Sequence, residues 1–264
     1  MAALARLLDG PGPLPAIAVA TTAPDADGVG RQAEQAVREG AEVIELRADL
    51  LHPEEGEVLT ACALDAVRAV RAVTVAAPLL LTVRSGVEGG ALDGGEAVYA
   101  GVLDALLHAL ADVPGAGRPD ALDVEIGRPD APDLVERAHG LGLDVVASFH
   151  DFHATPSDEA LHARLATMRA AGADALKVAV TPADAVDVAR LLRVTAEASA
   201  ALSAPVITMS MGDLGIVTRV AGAVFGSALT FATAGDRPSA PGQPPIALVR
   251  SARAALSGSL ATTS

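Results

Sequence analysis

Short aliphatic runs recur along the chain, roughly every 30 residues, and each is followed by a stretch whose apolar positions have helical spacing. The runs at residues 15–20, 42–47, 78–84, 121–126, 143–150, 174–180, 205–211 and 227–231 read as strands rich in Ala, Val, Leu and Ile, bounded by Gly, Pro or Asp. Residues 28–40, a segment from the acidic loop 52–57 to about 75, then 96–112, 132–139, 157–171, 182–201, 215–224 and 246–257 read as helices. Eight strand–helix units in alternation predict right-handed βαβ crossovers and a parallel sheet. In 264 residues they fit a closed (β/α)8 TIM barrel as one α/β domain better than an open sheet. Residues 1–13 are expected to be an N-terminal extension, 14–257 the barrel and 258–264 a flexible C-terminal tail.

Polar residues interrupt these strands at positions two apart, which places each pair on one face. Near the C-terminal ends lie Glu45 and Arg47, Thr82 and Arg84, Asp123 and Glu125, Ser148 and His150, and Met209 and Met211. Lys177 lies in the same zone of the sixth strand, with no local partner for its ammonium. A lone strand lysine is more often a side chain that reaches for water. So many polar pairs converging with it at one barrel end are hard to explain structurally, because buried charges without partners are costly. That end is where a barrel of this kind builds its active site.

Composition narrows the chemistry. The chain is 51% hydrophobic but only 2% aromatic and has no Trp, so its core must be aliphatic. A formal net charge of −14 argues against nucleic acid as a partner, and an anionic substrate must be held by locally placed arginines. Cys62 is the only cysteine, which excludes an intrachain disulfide; it reads as a small core hydrophobe. No uninterrupted apolar run is long enough for a membrane span, and the early Asp9-Gly-Pro breaks any signal peptide, so a cytoplasmic protein is expected. The segment Gly86-Val-Glu-Gly-Gly90 lacks the spacing of a dinucleotide fingerprint; its glycines read as loop hinges around Glu88. His150 and His153 have metal-like spacing but no convincing third ligand.

A lysine and a histidine on adjacent strands suggest imine chemistry: the amine condenses with a ketone, the protonated imine draws electrons, and the histidine moves a neighbouring proton. Asp123 and Glu125 read as charge partners of Arg47 and Lys177.

The segments Glu45-Leu-Arg-Ala-Asp49, Thr82-Val-Arg-Ser-Gly-Val-Glu-Gly-Gly90, Ser148-Phe-His-Asp-Phe152 with Thr155-Pro156, Leu176-Lys177, Ile207-Thr-Met-Ser-Met211, Ala221-Gly with Phe225-Gly-Ser227, and Ser239-Ala-Pro-Gly-Gln243 occur in this order. Together they resemble the type I 3-dehydroquinate dehydratases, from the first strand to the last helix. The resemblance implies a (β/α)8 barrel that dehydrates 3-dehydroquinate to 3-dehydroshikimate through a lysine imine, usually as a homodimer, with no metal or cofactor. It implies that Lys177 forms the imine, His150 is the general acid and base, and Glu88 orients His150. It further implies that Glu45, Arg47 and Arg84 hold ring hydroxyls, Arg219 pairs with the substrate carboxylate, Ser239 and Gln243 belong to a lid, and Met209, Met211 and Phe231 form apolar walls. Two departures stand out: Ala20 and Thr22 replace the Ser and Met common on strand one, and Gly212-Asp213 replaces a Ser-Lys pair, removing a positive charge near the carboxylate site. Another class I lysine-imine lyase or aldolase on the same barrel is the alternative, although no phosphate site is evident after strands seven and eight. A barrel that only binds a small acid is a further one.

Overall fold

The structure, a computed structural model, describes residues 4, 8, 14–53, 58–74, 76–235 and 238–260. The aliphatic runs form β1 (Ala16–Thr21), β2 (Val43–Arg47), β3 (Leu79–Thr82), β4 (Ala121–Glu125), β5 (Asp144–Asp151), β6 (Ala175–Val180), β7 (Val206–Ser210) and β8 (Leu229–Ala232). The helices that follow them in turn are α1 (Ala26–Glu39), α2 (Leu59–Val73), α3 (Gly95–Ala111), α4 (Ala131–Gly140), α5 (Asp158–Ala170), α6 (Ala185–Ala201), α7 (Ile216–Ala221) and α8 (Ile246–Leu260). Every strand pairing is parallel, in the order β7-β6-β5-β4-β3-β2-β1-β8. A bridge between Val206 and Ser227, with the Ala228 N–H donating to the Val206 carbonyl at 2.8 Å, brings the two ends together into a nearly closed barrel.

Strand alternation divides the apolar residues into two cores. Outward-facing Ile17, Ile44, Leu46, Leu79, Leu81, Leu122, Val124, Val145, Leu176 and Val178 pack under the helices. Both faces of these strands are covered, which is why they read as continuous aliphatic runs. Inside the barrel, small residues dominate the lower layers: Ala16, Ala18, Val43, Leu80, Ala121, Val146, Ala175 and Leu229 form one cluster. Two places further along the strands, the same inward face carries Glu45, Thr82, Asp123, Ser148 and Lys177, all buried. Leu4 is also buried in the interior cluster and Leu8 packs at its edge. The rest of the expected N-terminal extension, like residues 261–264 of the expected tail and 54–57 of the acidic loop, lies outside the described residues.

Local chemistry explains where several boundaries differ from the sequence pattern. α1 starts earlier than expected because Asp25 caps it, accepting from the Gly28 N–H at 2.7 Å. The helix expected over 215–224 stops at Ala221 and continues as a 3-10 turn over Gly222–Phe225, closed by Gly226 at φ 90°. β3 leaves its ladder after Thr82, so Arg84 lies beyond the strand but keeps its inward parity. Among the described residues no helix is long and apolar enough to cross a membrane.

Candidate active site

Lys177 lies mid-strand in β6, level with Ser148 of β5 and Ile207 of β7. Its side chain is 5% exposed. Nζ is 3.4 Å from Glu45 Oε1, 3.3 Å from Asp123 Oδ2 and 4.6 Å from the Phe231 ring centre. Its nearest charged partners are thus carboxylates.

Arg84 organises the floor beside it. Nη2 donates to Asp123 at 2.7 Å; Nη1 donates to Ser148 Oγ at 2.9 Å and Glu125 at 3.1 Å and faces Glu88 at 3.5 Å. Burial opposes ionisation of Asp123, yet Arg84 and Lys177 hold it below the usual carboxylate range. Glu125 has a second cation, Arg128, whose Nη2 lies 2.6 Å away. The expected pairing of Arg47 with Asp123 or Glu125 is not what forms. Arg47 instead makes a two-pronged bond to Asp49, at 2.8 and 2.7 Å, and Asp49 also accepts the main-chain N–H groups of Arg84 and Ala91. A guanidinium fork two residues from a carboxylate wins over a longer reach across the barrel.

His150, at the end of β5, faces Glu88. Glu88 Oε2 accepts from the His150 main-chain N–H at 3.1 Å and lies 2.9 Å from Nδ1. With Glu88 as a carboxylate, this pairing puts the proton on Nδ1 and leaves Nε2 with its lone pair. Burial first, then Arg84, Lys177 and Arg47, hold His150 well below its ordinary range. Burial also pushes Glu88 up to about 8; Glu125 and Asp123 add to the rise, and Arg84 and Arg128 oppose it. Glu88 is carried by a 3-10 turn over Gly86–Glu88 that Ser85 caps through its hydroxyl. The glycines here are not hinges. A Cβ on Gly89, at φ 78°, would come within 2.2 Å of the Phe152 ring, and one on Gly90 within 2.1 Å of the Arg84 carbonyl, so close packing demands them.

Arg219, on α7, is 1% exposed. Nη1 approaches Met209 Sδ at 3.5 Å, Nη2 donates to the Pro241 carbonyl at 3.2 Å, and Nε has no acceptor. No carboxylate pairs with it among the described residues, and burial lowers it to about 10. A buried guanidinium in that condition is a site for an anion. Over it folds the segment after β8, where Ser239 and Gln243 bond each other: Gln243 Oε1 accepts the Ser239 N–H at 2.9 Å, and Gln243 Nε2 donates to Ser239 Oγ at 2.9 Å. The Gly212 N–H also donates to Pro241 O, at 3.3 Å, so the departure at Gly212 is where the lid rests on the β7 loop.

One cavity brings together every site residue expected from the sequence. Lys177, His150, Glu88, Glu45, Arg47, Arg84, Arg219, Ser239, Gln243, Met209, Met211 and Phe231 all line it. So do Gly89, Phe152, Ala179 and Ala240, which were not predicted. His153 is exposed and outside it, its main chain bonded to Asp151. No cluster of His, Cys, Asp and Glu suited to a metal occurs among the described residues.

Residues 17–259 match the family profile described as type I 3-dehydroquinase. The chain belongs to that family. Two 3-dehydroquinate dehydratases show how far the likeness extends. That of Listeria innocua is 41% identical over 204 residues, covering 76% of this chain and 77% of its own. That of Neisseria gonorrhoeae is 38% identical over 240 residues, covering 89% of each. Among solved structures, the 3-dehydroquinate dehydratase of Geobacillus kaustophilus superposes with a TM-score of 0.83 at 35% identity, covering 92% of this chain and 91% of that one. The type I enzyme of Clostridium difficile, solved with covalent modified comenic acid, gives 0.81 at 31% identity, covering 93% of each. As a type I 3-dehydroquinate dehydratase the chain is a hydro-lyase, which sets the aldolase alternative aside.

Strand parity could have found two of the unpredicted cavity residues in this dehydratase. Ala179 is two beyond Lys177, and Phe152 is two beyond His150. Ala240 and Gly89 adjoin residues already singled out, and only their packing shows that they reach the cavity.

Proposed function

We propose that this hydro-lyase converts 3-dehydroquinate to 3-dehydroshikimate and water through an imine on Lys177. The amine adds to the ring ketone and water leaves, giving a C=N⁺ bond that acts as the electron sink. His150 Nε2 takes the adjacent C2 proton, and the electron pair moves into an enamine. The same histidine, now protonated, delivers that proton to the C1 hydroxyl as the enamine nitrogen's lone pair re-forms the C=N⁺ bond, the C2=C3 pair becomes the C1=C2 double bond, and the C1–O bond breaks to release water. Water then hydrolyses the conjugated imine, releasing product and the free lysine.

In this reading Glu88 fixes the His150 tautomer and stabilises the imidazolium, and Arg219 pairs with the substrate carboxylate. Glu45 and Arg47 hold ring hydroxyls. Arg84 faces the ring but is already engaged by Asp123, Glu125 and Ser148, so it contributes mainly by keeping Glu88 and the lysine's partner Asp123 in place. Ser239 and Gln243 close the cavity, and Met209, Met211 and Phe231 supply its apolar walls. The observation that carries the reading is the shared cavity. A buried amine, a histidine held by a carboxylate and a guanidinium that has no acid among the described residues face the same space. The covalently modified ligand in the Clostridium difficile relative supports covalent chemistry there.

The test is formation of the conjugated enone carboxylate from 3-dehydroquinate, followed by ultraviolet absorbance with and without chelator. Steady absorbance growth in both conditions supports the reading, and none in either refutes it. The reading extends to a cytoplasmic homodimer working without cofactor; sedimentation giving twice the 26.4 kDa chain mass supports the dimer, and a single-chain mass refutes it.

A further inference from the structure

The charges around Arg84 do not balance within the set of residues assigned above. Three carboxylates, Glu88, Asp123 and Glu125, face this one guanidinium. Lys177 supplies a second cation to Asp123. The second cation for Glu125 comes from outside the catalytic set. It is Arg128, in the turn after β4, whose side chain is 8% exposed. Its Nε and Nη2 both donate to Glu125 Oε2, at 3.0 and 2.6 Å, and Nη2 also donates to Ser85 Oγ at 2.6 Å. Its guanidinium lies 5.2 Å from the Tyr99 ring centre. Ser85 in turn caps the turn that carries Glu88. Arg128 therefore reaches Glu88 by two routes, the buried charge and the cap.

We propose that Arg128 is a positioning residue for the dehydration: by neutralising Glu125 it leaves Arg84 available to Glu88, and so favours the carboxylate form of Glu88 as the partner of His150. The inference rests on the roles given to Glu88 and His150 above. Its physical basis is the order of the three contacts on Arg84. Asp123 lies at 2.7 Å, Glu125 at 3.1 Å and Glu88 at 3.5 Å, so Glu88 is the most weakly held. With Arg128 in place, Arg84, Lys177 and Arg128 serve the three carboxylates on Arg84, Lys177 being shared with Glu45. Without it, the buried cluster carries an excess negative charge, and like charges in such a site drive one carboxylate to take a proton. The most weakly held one takes it. A protonated Glu88 no longer offers the same acceptor to the ring and main-chain N–H groups of His150.

The groups that bear on this titration come from several elements. Arg84 faces Glu88 from its own loop, Asp123 and Glu125 from β4, Arg128 from the turn after it, and His150 from β5. Lys177 and Arg47 act on His150 from β6 and β2.

The experiment is the pH profile of kcat for Arg128→Met, which preserves an unbranched side chain beside Tyr99 and removes the charge. The acid-side limb, below which turnover falls, is expected to move to higher pH by on the order of one unit, because more proton must be removed to ionise Glu88. Borohydride trapping of 3-dehydroquinate on Lys177 is expected to persist. Arg128→Lys should return the limb toward that of the parent, and Glu125→Gln, with Arg128 retained, should move it to lower pH. If Arg128→Met does not fold, Glu125→Gln and the double variant lacking both charges carry the test, the double variant with a limb near the parent's. A limb unmoved in both Arg128→Met and Glu125→Gln overturns the proposal, whatever the loss of overall rate. Failure of the underlying reading looks different: the parent itself forms no adduct.

Discussion

Replacing Arg219 by methionine removes a buried charge that has no carboxylate beside it among the described residues. Burial lowers this guanidinium from its ordinary value to about 10. At 1.36 kcal/mol per unit, keeping it charged destabilises the folded, ligand-free protein by about 3 kcal/mol. A base held below its ordinary range weakens the fold at every pH below about 10, and the penalty fades as pH rises from there toward the ordinary arginine range. Methionine has an unbranched apolar chain, and apolar replacements of buried charges are often neutral or stabilising by about 1–4 kcal/mol. Against this stands the lost bond to Pro241, worth about 1 kcal/mol. Arg219→Met should therefore unfold in urea at neutral pH with a stability equal to the parent's or up to about 2 kcal/mol greater. The same change should lower kcat/KM by roughly 30- to 1000-fold, since a charge-assisted pairing with a carboxylate is worth about 2–4 kcal/mol. Denaturant titration and steady-state kinetics on the same preparations measure both. Destabilisation beyond about 1 kcal/mol, or an unchanged kcat/KM, would refute the argument that this arginine waits for an anion.

His150→Ala should still form the lysine imine but lose about 10²- to 10⁴-fold in turnover, measured by single-turnover absorbance alongside trapping; normal turnover removes the histidine from its role. Glu88 holds its proton more tightly folded than unfolded, so the parent's stability relative to Glu88→Gln should fall as pH rises from the ordinary carboxylate range through about 8. Urea midpoints across that window that run parallel for the two proteins would contradict this. Gly242 has φ 73°, and a Cβ there would come within 2.4 Å of the Gly212 carbonyl, so Gly242→Ala should displace the lid, raise KM and increase proteolysis near the lid. Parent-like KM and proteolysis would show that the lid does not depend on this contact.

The barrel was legible because its strands are almost wholly aliphatic, so that a charged residue two places from another stands out on one face. That parity placed Glu45, Arg84, Asp123, His150 and Lys177 at one end before any contact was known. What parity does not encode is which charges meet. Arg47 turned to Asp49 because their short separation allows a two-pronged bond, while Asp123 and Glu125 went to Arg84. Depth was equally hidden. Arg219 stands in a helix pattern that does not show its depth, and Met209 of β7 and Pro241 of the segment after β8 both contact it where it is buried. Gly89 and Gly90 looked like hinges because sequence shows a glycine's freedom and not the neighbour that forbids a Cβ. Arg128 had no motif to mark it, although it stands three residues after Glu125.

Lys177 is the only lysine in the chain, which makes the central claim open to one direct measurement. The enzyme is treated with borohydride in the presence of 3-dehydroquinate, and its intact mass and peptides are read by mass spectrometry. The account predicts one reduced adduct per chain, on the peptide containing Lys177, with loss of activity and no adduct in Lys177→Met. A parent enzyme that turns over substrate yet carries no adduct, or an adduct that persists in Lys177→Met, would contradict it.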